Sequence, residues 1–161
     1  MALPLEVLRA LQQPDPGAAW AAAYAHAWEV CAAPLDPATA RTEVGRRDDA
    51  LAPLDLYLAT AGWDLWNALG SSVQRTSDAL AAWWDVQLGG RAVLVLDGLS
   101  LRELPWLLQG AEARGYVVHQ ARATASELPA DTTPFARALG VGQRSAISND
   151  GVKGGNHRLP G

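Results

Sequence analysis

The chain of 161 residues has one cysteine, one methionine, one phenylalanine and, in Lys153, one lysine. With Cys31 alone, no intrachain disulfide and no thiolate zinc cluster can form, and a reducing cytoplasm is the expected setting. Cys31 stands among alanines in a helical pattern and reads as an inert small hydrophobe. No apolar run approaches the ~20 residues needed to span a bilayer, so no membrane segment is expected. The first residues, Met1 to Glu6, lack a basic cluster and soon meet an acidic side chain, which argues against a secretory signal. Charged residues make up only 19% against 49% hydrophobic, a balance that excludes a disordered chain. What charge there is divides unevenly. Residues 1–90 hold 5 cationic and 11 acidic side chains, net −6, and residues 91–161 hold 8 and 6, net +2. Neither half has the basic stripe of a dedicated nucleic-acid-binding domain.

What is present falls into two parts. Residues 1–89 are rich in Ala, Leu and Trp and read as an α-helical region. Leu5, Leu8 and Leu11 recur at helical spacing until Pro14–Gly17 breaks the pattern. Ala18 to Ala33 forms the next helical pattern, ended by Pro34. Asp36-Pro37 looks like a helix start, and Asp48 or Asp49 like the cap of a further helix through Leu51, Leu54 and Leu58 to Trp66, with Gly62 a point of interruption. Gly70 reads as a stop, Ser71 or Ser72 as a restart, and a last helix is expected over Val73 to Leu88. Six of the seven Trp lie in this region. A helix-bundle core built from large side chains is the preferred reading, and an aromatic surface for a partner is the alternative.

From residue 90 to 148 the pattern changes. Ala92 to Leu96 is a continuous apolar run that follows Gly-Gly and ends at Asp97-Gly98, as in a strand buried on both faces of a parallel sheet. Ser100 with Glu103 makes a capping box for a helix to Ala113, with Pro105 an awkward occupant of its first turns. Tyr116 to His119 reads as a second strand, completing a βαβ unit. Thr132 or Thr133 then caps a short helix stopped by Gly140, and Ser145 to Ser148 reads as a third strand. Residues 149–161 are a Gly-rich irregular tail. The expected fold class is therefore α/β: a helical N-terminal region followed by an incomplete parallel-sheet domain.

Two residues are placed for chemistry. Asp97 ends a predicted strand, where ligands of open α/β sheets bind, and its carboxylate suits a metal ion or a base; a turn aspartate is the plainer alternative. Thr132 opens a predicted helix, where free N–H groups and the dipole favour phosphate; taken alone, a cap is the stronger reading.

Together, Val93-Leu94-Val95-Leu96-Asp97-Gly98-Leu99 and, about 35 residues on, Leu128-Pro129-Ala130-Asp131-Thr132-Thr133-Pro134-Phe135 resemble the PglZ domain of the alkaline phosphatase superfamily. The resemblance spans roughly residues 88–148. It implies an α/β sandwich with a two-metal site, usually zinc, in which Asp97 is the first metal ligand. Thr132 is both metal ligand and nucleophile, Pro134 two residues later favouring it over Thr133. It also implies a phosphoester substrate and a setting in bacterial phage defence of the BREX and Pgl types. Two metals need about six protein ligands. Downstream of Thr132 stand only Asp150 and His157, and elsewhere only His26 and His119 add histidines. The chain is thus expected to be the N-terminal portion of a longer phosphoesterase, or a remnant, and inactive as it stands. The alternative is a non-catalytic module whose Trp-rich helices dock on subunits of a defence or signalling complex. A receiver-like domain phosphorylated on Asp97 is discounted, because no acidic pair accompanies it and Lys153 sits in the Gly-rich tail.

Overall fold

The computed structural model describes residues 2–34, 36–86, 93–96 and 98–141. Seven helices run in chain order among the described residues: α1 (Leu5–Leu11), α2 (Pro16–Cys31), α3 (Ala40–Thr60), α4 (Trp63–Ser72), α5 (Thr76–Asp85), α6 (Leu104–Glu112) and α7 (Thr132–Ala138). Among the described residues there is no strand, and the one isolated bridge pairs Arg75 with Ala125 in parallel. The expected α/β architecture is therefore corrected to a helical one. Val93–Leu96 and Tyr116–Val118, read as strands, are irregular and exposed. Residues 145–148, read as a third strand, lie outside the described residues.

The chain gathers into two units, neither of them contiguous. One takes the described residues of Met1–Ser72 and Gly98–Ala123, the other those of Val73–Asp97 and Thr124–Gly161. In the first unit α2 packs on α1, α3 and α4. Its start is local chemistry: Asp15 accepts a hydrogen bond from Gly17 N at 2.9 Å, and Pro16 sits at the first helical position, where no N–H is needed. Ala19 and Ala23 are buried on α2 with Leu11, Leu54 and Leu65, because small side chains let the neighbouring helices approach. Trp20 borders this core and donates its indole N–H to Leu65 O at 3.0 Å.

Several predicted boundaries move for identifiable reasons. Asp36 accepts from Ala38 N at 2.9 Å, so it closes a turn, and α3 begins only at Ala40. The expected break at Asp48-Asp49 does not occur; α3 is one helix of 21 residues that runs through both and through Pro53. Gly62 does separate α3 from α4. The Ser100–Glu103 box forms, Ser100 N donating to Glu103 Oε2 at 3.0 Å, but it closes a turn before α6, which begins at Leu104 with Pro105 in its first turn.

In the second unit α5 packs on α7, around Ala136, Leu139 and Val141 with Leu80 and Phe135 against them. Ala125 links the segments: Thr76 N donates to its carbonyl, and its own N–H donates to Gln74 O, both at 2.9 Å. The Thr76 and Thr124 hydroxyls meet at 2.8 Å, and Ser77 Oγ donates to Glu127.

Candidate functional site

Asp97 lies outside the described residues. Thr132 is the first residue of α7, and the cap is Asp131, not a threonine: its carboxylate accepts from Thr133 N at 3.1 Å. The Thr132 position at a helix opening is therefore as expected. Its electrostatics differ, because the Asp131 carboxylate already occupies the positive end of a seven-residue helix and repels a second anion there.

The zinc implied by the resemblance needs a convergent donor set. Among the described residues no group of three or more His, Cys, Asp or Glu side chains converges to hold a metal ion. His119 is exposed and His26 lies half-buried on α2, in the body of the first unit. Asp97, Asp150 and His157 lie outside the described residues.

The most closely knit polar group of the first unit is structural. Arg47 is 1% exposed and donates to Ala33 O, just past the carboxyl end of α2, and to Arg102 O at 2.8 Å. Arg102 in turn pairs with Asp48. A guanidinium at a helix carboxyl end meets the negative pole of the dipole, which offsets part of its desolvation. Cys31, 0% exposed, lies within reach of this charge. Burial raises its thiol pKa, and the nearby Arg47 and Arg102 only partly oppose that, so the thiol stays protonated near neutral pH.

Two surfaces of the first unit are open. On α4, Leu65 and Leu69 point inward one turn apart, and Trp63 lies about 160° around the helix from Leu65. Trp63 is accordingly 73% exposed. Trp66 is also exposed on one side, yet its orientation is fixed: its indole N–H donates to Leu58 O at 2.9 Å, and its ring meets Trp20 edge-on with centroids 4.8 Å apart. None of the seven Trp is itself fully buried; Leu and Ala fill most of the core of the first unit, and Trp20 packs against it. The preference for a Trp-built core is corrected for Trp63, whereas Trp20 does pack against the core; the Leu65/Leu69 spacing was the signal that placed Trp63 outside. The second surface is a groove of about 470 Å³ between α1 and α3, lined by Leu3, Leu8, Asp49, Pro53, Leu56 and Tyr57 among others. Among the described residues no helix is long and apolar enough to cross a membrane.

No family model, no curated protein and no solved structure matches the chain.

Proposed function

We propose that this chain is a non-catalytic interaction module that binds a protein partner through the indole face of α4. The observation that carries this reading is Trp63, 73% exposed beside the oriented Trp66. An indole left in water forgoes about 2–3 kcal/mol of burial, and exposed Trp is enriched where a partner supplies that burial. Trp66 has its polar N–H satisfied inside the unit, so what it offers outward is a pre-oriented apolar ring. The resemblance to PglZ domains supplies the setting: a subunit of a bacterial phage-defence or signalling complex. The test begins with affinity capture from bacterial lysate, identification of the partner, and titration of the purified pair. Trp63→Glu is expected to weaken binding at least tenfold with an unchanged melting temperature, as fits loss of an aromatic anchor. Equal binding by the variant, or no partner at all, would refute the reading.

A second reading is favoured by one observation, the place of Thr132 as first residue of α7 with Pro134 two positions on. It is that the chain is the N-terminal portion of a PglZ-type phosphoesterase, with Thr132 Oγ1 attacking phosphorus, Asp97 and Thr132 as metal ligands, and further ligands supplied from beyond this chain. The 161-residue chain alone is then inactive. In a longer protein that contains it, Thr132→Ala is expected to abolish phosphodiester hydrolysis and Thr132→Ser to retain part of it. Full activity in Thr132→Ala would remove the nucleophile assignment.

A further inference from the structure

The groove between α1 and α3 has a one-sided chemistry. Its walls are mostly apolar, with Leu3 and Leu8 on one side and Pro53, Leu56 and Tyr57 on the other. Its polar atoms are mostly acceptors, the Tyr57 hydroxyl alone able to donate as well as accept. Asp49 contributes its exposed carboxylate. Pro53, inside α3, has no N–H to donate one turn back, so the main-chain carbonyl of Asp49 is released from its usual helical partner. Thr60, also on the wall, spends its hydroxyl proton on Leu56 O at 2.7 Å and has only lone pairs left to offer. Among the described residues no Lys, Arg or His lines the groove. The stretch from Asp49 to Gln74, which forms the α3 wall and runs on through α4, holds Asp49, Asp55 and Asp64 and no basic residue, while Asp48 just before it is paired with Arg102. On α1 the single cation, Arg9, stands one turn from Glu6.

An apolar trough whose one charged group, among the described lining residues, is a carboxylate calls for a side chain with a long apolar stem and a cationic, donor-rich head. Arginine fits better than lysine: its flat, weakly hydrated guanidinium carries five donors and stacks on an aromatic ring such as Tyr57. The wall from Asp49 to Thr60 is about 17 Å long, three turns of a facing helix. We propose that this groove docks an arginine-bearing amphipathic helix of a partner protein. The guanidinium sits on the acceptors of residue 49, and leucine-like side chains cover Pro53, Leu56 and Tyr57. This rests on the interaction-module reading but uses a different surface from Trp63.

The test uses the full 161-residue chain and a fluorescein-labelled 14-residue helical peptide of Leu, Ala and Gln with one central Arg. A second peptide carries citrulline there, which keeps the shape and removes the charge. The Arg peptide is expected to bind saturably and more weakly as salt rises. Leu56→Glu is expected to cost at least tenfold. Asp49→Asn and the citrulline exchange should each cost about fivefold, the upper range for an exposed pair, and together no more than one of them alone, since both remove the same contact. Absence of saturable binding, an unaffected Leu56→Glu, or multiplying losses would overturn the proposal. So would a dimer of the chain itself that Leu56→Glu dissociates, because the occupant would then be a second copy. Trp63→Glu is expected to bind the peptide normally. Failure of the groove with Trp63-dependent capture intact leaves the α4 reading standing, and the converse leaves the groove standing alone.

Discussion

Glu103 accepts from both the hydroxyl and the N–H of Ser100, at the turn that leads into α6. The side-chain hydrogen bond from Ser100 is the largest influence on its carboxyl and holds its pKa below the ordinary 4.5; desolvation opposes this, and the Ser100 N–H adds to it. A carboxylate whose pKa is lower folded than unfolded stabilises the fold above the unfolded value. That contribution is lost as pH falls through the lowered folded value. Glu103→Gln is therefore expected to lower stability near neutral pH by about 0.5 kcal/mol, the lower range for a net hydrogen bond because the group is largely solvated. It should also show a shallower loss from about pH 5 down to pH 3. Urea melts of both proteins across that range check it, and a parallel acid limb in the variant would count against it. This box was legible from the Ser100 and Glu103 spacing because a cap is local. Arg47 was not legible, since its acceptors, Ala33 O and Arg102 O, lie 14 and 55 residues away.

At the scale of elements, several breaks marked by glycine and proline were legible and one was not: α4 runs through Gly70, the expected stop, to Ser72. The helix ending near Pro14, the end of α2 before Pro34 and the gap at Gly62 all follow. Asp48-Asp49 failed as a break because Leu51 and Leu54 continue the buried face set by Arg47, and packing of that face outweighs the capping preference of two aspartates. Pro53 likewise sits inside α3 without ending it. Gly62 owes its place to close approach: a Cβ there would stand 2.9 Å from both the Cα and the carbonyl oxygen of Leu58, in the turn that delivers Trp63 and Leu65. Gly62→Ala forces main chain apart and is expected to destabilise the first unit by about 1–3 kcal/mol, the usual cost of overpacking. Chemical denaturation followed by Trp fluorescence would register this, and a neutral result would mean that the turn relaxes freely.

For the whole molecule, the apolar runs expected to be strands are the main departure from the sequence reading. Ala92 to Leu96 and Tyr116 to His119 have the right residues for buried strands, but a strand is stable only with a hydrogen-bonding neighbour, and a neighbour is a non-local fact that composition does not carry. Among the described residues neither run has one, and Leu94 and Val117 stand 76% and 72% exposed. Unpaired, β-prone and apolar segments in water are templates for association, and the net charge of −4 on 161 residues is a weak defence against it. The wild-type chain is expected to self-associate with rising concentration and to bind the dye ANS. Leu94→Lys combined with Val117→Lys should suppress both with an unchanged far-ultraviolet helical signal, because neither side chain belongs to either buried cluster. Light scattering behind a sizing column reads the first effect and dye fluorescence the second. A wild-type chain that stays monomeric and dark would mean that these runs are covered in solution. An equally associating double variant would move the contact elsewhere, Leu56 in the groove being the next residue to change.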